Sequence, residues 1–339
     1  MPNKFRIDLA TARKEKYEKV LNNLDHVTFI NGKAAFTSSK EVEVNGEKLS
    51  AEKFIIAAGS TANTPPIEGI KEAGYLTHIE ALKLEKQPKE LIVIGAGPLG
   101  LEFAQLFSRF GTKVTLLHYG PRIFPTGEPE LTDKLAEILT KEGITIHTNA
   151  KATKARKDGE KKVLTFEIDD KENEVSADEI LLAAGKTPNT KTLGLDKAGV
   201  EIDKKHAVIA NQFFKTSQEH IFAVGDITNL PLRLETTAGR EGTLAAENAI
   251  SGSQNSIDYN AVPYTIFTDP QYASVGFTEE AQMKSAGVCA CRTVSFADIP
   301  KGIITHRTEG LIKMGIDPKT KQILGVHILA PNASELIAE

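Results

Sequence analysis

The sequence predicts an α/β protein with two nucleotide-binding units built on parallel sheet, one lacking its front half, and a closing α+β segment. Three observations carry that expectation. The apolar run LIVI at 91–94 ends in Gly95-x-Gly97-x-x-Gly100 and passes at once into a helix-period pattern. That is the strand, glycine turn and helix a dinucleotide pyrophosphate requires. FIIAAGSTANTPP at 54–66 echoes ILLAAGKTPNT at 180–190, each following a hairpin-bearing meander. From Val262 onward, strands alternate with a single helix.

Composition bounds the rest. At 339 residues the chain exceeds one ordinary core. A quarter of its residues are charged and the net charge is only −4, so nothing points to nucleic acid. The apolar run at Leu91 is too short for a bilayer and is soon interrupted by Glu102. The opening MPNKFRIDLATARKEKYEK lacks the apolar centre of a signal peptide. Two cysteines exclude a disulfide framework and suit a reducing cytoplasm.

In chain order, residues 8–24 read as a helix with Tyr17, Val20, Leu21 and Leu24 on one face. Strand-like segments follow at 26–30, 33–37 and 41–44, and Asn45-Gly46 is a two-residue hairpin turn. FIIAAG at 54–59 reads as a buried strand. Residues 85–90, charged and containing Pro88, read as a linker. Beyond the glycine turn the pattern gives a strand at 113–118, a helix from Leu131 to Glu142 and a strand at 143–147. A charged meander turning at Asp158-Gly159 leads into a strand within 179–189.

HIFAVGD at 220–226 is a strand ending on an acid, and a helix runs from Thr236 to Ile250. The last segment predicts strands at 262–267, 289–296, 310–317 and 322–329, with a helix near Thr278 to Ala286. ASELIAE at 333–339 reads as a helix just begun. Gly185 lies well downstream of Gly95, and an equal spacing before Gly59 falls ahead of Met1. The first unit is therefore expected to be the back half of a nucleotide-binding domain, and the chain an internal piece of a longer protein.

Each glycine of the turn has its own task. Gly95 permits the turn, Gly97 lets backbone approach the phosphates, and Gly100 lets the helix pack on its strand. Pro98 and Leu99 open that helix, whose N-terminus supplies N–H donors and a positive dipole end. An NAD site usually carries a carboxylate at the end of the second strand, on the ribose 2′-hydroxyl. Here stand His118 and Tyr119, with Arg122 beyond. His118 and Arg122 are the candidates for a 2′-phosphate, so NADPH is favoured over NADH.

Cys289 and Cys291, at i and i+2, point the same way on a strand. Two ligands do not close a zinc site, so buried strand cysteines are expected, with no metal. His306 and His327 read as surface and strand residues.

With these residues placed, the chain resembles the FAD-dependent pyridine nucleotide–disulfide oxidoreductases over essentially its whole length. The matching motifs are GKAAF at 32–36, IIAAGS at 55–60, GAGPLGLEFA at 95–104, AAGKTPN at 183–189, FAVGD at 222–226 and FTDPQYASVGFTE at 267–279. Within the family, PKGIITHRTEGLIKM at 300–314 and the AP-x-x-x-ELI ending look most like mercuric reductase.

The resemblance implies a division of labour. Residues 1–85 and 209–258 would belong to an FAD-binding domain, 86–208 to an NAD(P)-binding Rossmann-like domain and 259–339 to a dimerisation domain of a homodimer. Gly95, Gly97, Gly100 and Gly185 would serve the nicotinamide dinucleotide. Asp226 would bond the ribityl chain of FAD, with Gly225 allowing close approach. Backbone at Leu234 and Thr236 would meet the flavin pyrimidine edge, Ala34 the adenine end, and Ala58 and Gly59 the phosphate–ribose side. Glu102 would lie by the flavin–nicotinamide contact, paired with a lysine.

The implied reaction passes hydride from nicotinamide to flavin, then electrons to a Cys-x4-Cys disulfide, then to Hg(II) or a small-molecule disulfide. That cysteine pair, the N-terminal FAD glycine turn and a C-terminal His–Glu pair do not occur in this sequence, so the fragment is expected to be inactive alone. The alternatives are dihydrolipoyl dehydrogenase, a dithiol-free flavin NAD(P)H oxidase or reductase, and a non-catalytic nucleotide-binding, dimerising module.

Overall fold

The computed structural model describes residues 15–287 and 289–338. The chain divides into two compact units, one comprising 1–61, 82–85 and 186–257, the other 62–81, 86–185 and 258–339. The charged stretch at 85–90 thus contains a crossing between units, and its last residue already opens a strand.

In the second unit, Glu90–Ile94 lies inside a four-stranded parallel sheet, between Glu179–Leu182 and Lys113–Leu117, with Thr145–His147 beyond. Leu91, Ile92 and Val93 are buried, as both faces of a parallel strand demand. The helix Pro98–Arg109 buries Leu101, Ala104 and Phe107; Pro129–Lys141 buries Leu131, Leu135, Ile138 and Leu139. Each set follows the helical period. The second helix starts at Pro129, before the expected Leu131, because proline fits the first helical position.

The charged meander is a three-stranded antiparallel sheet of Lys151–Asp158, Lys161–Ile168 and Lys171–Ala177. Five antiparallel strands make the last segment, ordered Tyr264–Ile266, Gln271–Gly276, Ile323–Ala330, Leu311–Ile316 and Ala290–Ser295. Gln271–Gly276 was not legible as a strand. Its small residues Ala273, Ser274 and Gly276, and the turn residues Asp269 and Pro270 ahead of it, mask the period of two. The terminal helix forms only at Ala333–Leu336.

In the first unit, Ala34–Ser38, Glu41–Val44 and Glu47–Ser50 form an antiparallel sheet. Asn45 and Gly46 both adopt positive φ, as a tight primed hairpin turn requires. Phe54–Ile56 pairs in parallel with Ile221–Ala223, Phe54 opposite Ile221. The helix Glu235–Ser251 packs Leu244 and Ala245 against Phe214, Phe222 and Val224.

Two expectations near the N-terminus change. Of the helix proposed over 8–24, residues 15–22 are helical and 8–14 lie outside the described residues. Its apolar face is open, with Tyr17 56% and Val20 49% exposed. HVTFI at 26–30 is irregular and exposed, not a strand. It finds no neighbouring strand among the described residues, and an alternating pattern forms a strand only when its backbone groups are paired. No helix among the described residues is long and apolar enough to cross a membrane.

Candidate functional site

The glycine turn of the second unit is built by contacts only glycine allows. Gly95 has φ 110° and sits on the Ala183 carbonyl, where a Cβ would collide. A Cβ on Gly100 would overlap the Gly95 carbonyl oxygen and touch the Ala183 side chain at 3.3 Å. At Gly97, by contrast, a Cβ would meet open space. Gly97 caps the helix, Pro98 takes its first position, and no side chain caps the N-terminal amides. Those donors need partners that the helix itself cannot supply.

Gly97, at the cap of that N-terminus, borders a cavity of about 420 Å³. Ile94 to Gly97 line one part of it, with Ala183 to Gly185 from the neighbouring strand end and Pro65, Ile67 and Tyr119 elsewhere. Pro98, Leu99 and Gly100 stand just inside the helix. Gly185 has φ 88°, and its carbonyl accepts from the Asn63 amide at 3.0 Å. Tyr119 is 79% exposed.

His118, expected at a 2′-phosphate, directly follows the strand Lys113–Leu117. The ring is buried, and its Nδ1 accepts from the Ala96 amide at 3.4 Å, behind the glycine turn. Nε2 has no partner, and it lies where a Cβ on Gly120 would sit. Burial holds the imidazole below its ordinary value. The ring also borders the cavity, between Leu117 and Tyr119. Arg122, the other expected residue, is half-buried and lies near the Glu280 carboxylate.

Glu102, one turn into the same helix, is half-buried. Its Oε1 accepts from the Phe267 amide at 2.8 Å, and burial pushes the carboxyl up. Further along the helix, Gln105 binds the Asp269 backbone, and Arg109 bridges Glu142 at 2.7 Å and Asp269 at 2.9 Å. The helix is thereby tied at its far end to the loop before Gln271–Gly276.

The first unit assembles a second cluster around Asp226. Its Oδ2 accepts from the Ser60 hydroxyl at 2.7 Å and lies 3.5 Å from the Lys186 ammonium. Gly225 has φ 73°, and its amide donates to Glu241 Oε2 at 2.6 Å. Gly59 also has positive φ; its carbonyl accepts from the Asn189 amide at 3.0 Å, and Asn189 Nδ2 donates to Ala58 at 2.9 Å. Leu234 precedes the 235–251 helix, with Thr237 Oγ1 accepting from its amide at 3.2 Å. Thr236 is exposed in the first turn, and Ala34 is exposed at the start of its strand.

Glu241 was missed, although a signal existed. Buried positions on that helix fall at 237, 241, 244, 245 and 248. A glutamate on the apolar stripe of a helix is a carboxylate with a task.

A larger omission lies within the second unit. Lys313, 4% exposed, reaches Glu128 at 2.7 Å, Glu130 at 3.0 Å and Glu279 at 2.5 Å. The Tyr272 hydroxyl accepts from the Glu128 amide at 2.8 Å. His327, read as a strand residue, is one, but it is buried: Nδ1 accepts from Ser274 at 2.7 Å and Nε2 faces the Phe277 carbonyl at 3.1 Å. A carbonyl can only accept, so Nε2 carries the proton. His306 is exposed.

The two buried imidazoles set a pH dependence. Both sit below the ordinary 6.5 in the fold, so the unfolded chain binds more protons beneath that value. Stability is expected to be full above pH 6.5 and to decline as pH falls toward the folded values. Chemical denaturation on either side of pH 6.5 checks this; a flat profile contradicts it. Glu130, held low by the Thr293 hydroxyl and Lys313, and Asp269, held low against burial by Arg109 and Arg307, add their losses only in the carboxylate range.

The cysteines require a correction. Cys289 and Cys291 are disulfide-bonded to each other and half-buried, not buried free thiols. Cys289 stands just before the strand Ala290–Ser295, and its Cα lies 5.6 Å from that of Cys291, closer than the roughly 6.6 Å that two residues of extended strand span.

A parallel sheet with a glycine turn, a second acidic turn in the other unit and an antiparallel closing sheet define a two-nucleotide oxidoreductase architecture. The pyridine nucleotide-disulphide oxidoreductase model matches residues 3–250, and the dimerisation domain of the same family matches 262–339. The chain belongs to this flavin-dependent family of enzymes.

Among its relatives, mercuric reductase of Staphylococcus aureus is 35% identical over 326 residues, covering 96% of this chain and 59% of that protein. Mercuric reductase of Lysinibacillus sphaericus is 36% identical, covering 98% and 62%. Dihydrolipoyl dehydrogenase of Thermus scotoductus is 38% identical, covering 92% and 68%. The chain thus spans about three fifths of the length of the mercuric reductases it matches. The HOCl-induced flavoprotein disulfide reductase RclA of Escherichia coli superposes with a TM-score of 0.90 at 26% identity, covering 99% of this chain and 77% of that one.

Proposed function

We propose that the chain carries the pyridine-nucleotide-binding, flavin-contacting and dimer-forming parts of an oxidoreductase that delivers electrons to a disulfide or Hg(II), as a mercuric reductase does. The single observation that carries this reading is the helix N-terminus without a side-chain cap, whose Gly97 borders the 420 Å³ cavity and leaves its face clear. Residues 86–208 form its NAD(P) part, 1–85 and 209–258 its FAD part, and 259–339 the dimerisation part of a cytoplasmic homodimer.

Two-electron hydride chemistry would be supplied by the bound pyridine nucleotide and FAD. The chain's own share is placement. Amides at Leu99 and Gly100 would hold a pyrophosphate, and Ala184 and Gly185 border the cavity beside Gly97. Both protein contacts of Asp226 fall on Oδ2, which leaves Oδ1 to accept from a ribityl hydroxyl. The 235–251 helix would offer its positive end, at Thr236, to a flavin group that gains negative charge on reduction. Glu102, fixed by the Phe267 amide, holds its carboxylate one turn from the nicotinamide dinucleotide's cradle.

NADPH is the preferred donor on this reading. No carboxylate at the strand end repels a 2′-phosphate, and Arg122 supplies its cation. Calorimetric titration of the chain should give NADPH binding roughly tenfold tighter than NADH, about 1.4 kcal/mol. Arg122→Ala should remove that difference while sparing NADH. Equal affinities in the unaltered chain contradict the preference, and no binding of either nucleotide contradicts the site.

A further inference from the structure

Cys291 lies in the outer strand of the five-stranded sheet, opposite Gly315, and Cys289 just before that strand. Above them lies Gln282, 1% exposed, whose Nε2 donates to the Phe277 carbonyl at 2.9 Å. Its Oε1 is 3.3 Å from Cys289 Sγ and 3.8 Å from Cys291 Sγ. A Cβ on Gly315 would occupy the space this side chain fills, so the glycine makes room for it. A disulfide has no proton to offer that buried oxygen, whereas two thiols do. The surroundings therefore also suit the reduced pair.

The Glu279 carboxylate closes the group. One of its oxygens and the two sulfurs all lie within 4.8 Å of one another. Glu279 also contacts Lys313, which keeps Glu128 and Glu130 as partners when Glu279 turns away.

We propose that Cys289, Cys291 and Glu279 form a redox-gated site for a thiophilic divalent cation. Two thiolates suit a soft ion, and one carboxylate completes three protein ligands with a position open to water. In the oxidised state the sulfurs are spent on each other and the site is closed. A dithiol reductant opens it: the S–S bond takes two electrons and two protons, and the reductant becomes a disulfide. Cation binding then releases the two thiol protons to solvent as two metal–sulfur bonds form. The proposal is independent of the flavin reading, because none of these residues belongs to the nucleotide sites.

The full chain has only these two cysteines, so thiol counting reports on them alone. Thiols are titrated before and after treatment with a dithiol reductant, and the reduced chain is titrated with Cd(II) without oxygen. The expected result is no reactive thiol before reduction and both after it, then a stoichiometric thiolate-to-cadmium ultraviolet band. Cys289→Ser and Cys291→Ser should each abolish the band. Glu279→Gln should weaken Cd(II) binding about tenfold. Glu130→Gln, which loses a Lys313 contact without touching sulfur, should leave binding unchanged. Free thiols in the untreated chain, a reduced chain without the band, or equal effects of Glu279→Gln and Glu130→Gln overturn the proposal.

Discussion

Lys313→Met is expected to destabilise the second unit by about 3–5 kcal/mol, the range found when one partner of a buried ion pair is removed. The ammonium is almost fully enclosed and faces Glu128, itself 2% exposed, with Glu130 and Glu279 at the rim. Methionine preserves volume and apolar stem but leaves the Glu128 carboxylate buried without its cation. That carboxylate must then stay charged at high desolvation cost or take up a proton. The double variant Lys313→Met with Glu128→Gln should recover most of the loss, because it removes the orphaned charge. Denaturant unfolding of the three proteins decides it: additive losses in the double variant would contradict the coupling. The three carboxylates raise the ammonium's pKa against the opposing effect of burial, so alkaline pH weakens the cluster only above the ordinary lysine value.

The second large effect belongs to the glycine turn. Gly100→Val should reduce pyridine nucleotide affinity about a hundredfold, ~2.7 kcal/mol. Its Cβ would run into the Gly95 carbonyl oxygen, which is backbone and cannot swing aside. The helix must tilt off the strand, and its N-terminal amides move with it. Stability should fall as well, by ~1–3 kcal/mol for overpacking. Gly97→Ala provides the contrast. Its Cβ enters open space, so thermal stability should stay unchanged while affinity drops by steric exclusion of the phosphates. Equal nucleotide binding by Gly97→Ala and the unaltered chain would remove the close-approach role.

Much of the fold was legible because its patterns are local. The glycine turn, the Asn45-Gly46 hairpin and the 235–251 helix each announce themselves within a few residues of chain. HVTFI at 26–30 misled because alternation describes a strand's faces without naming a partner. Gln271–Gly276 was hidden by its small residues. At the candidate site, Gly95, Gly97 and Gly100 could be read directly, and Ser60 and Lys186 lay unremarked inside quoted motifs while converging on Asp226.

The sequence by itself determined the sheet-building segments, the nucleotide turn and the family, since backbone conformation there follows from residue type and short-range period. Only the tertiary structure decided that His118 is buried beside the glycine turn, that Lys313 gathers three glutamates, and that Gln282 and Glu279 converge on the paired cysteines. Charge state and ligand sets depend on burial and on distances of a few ångströms between residues far apart in the chain. No local pattern encodes those distances.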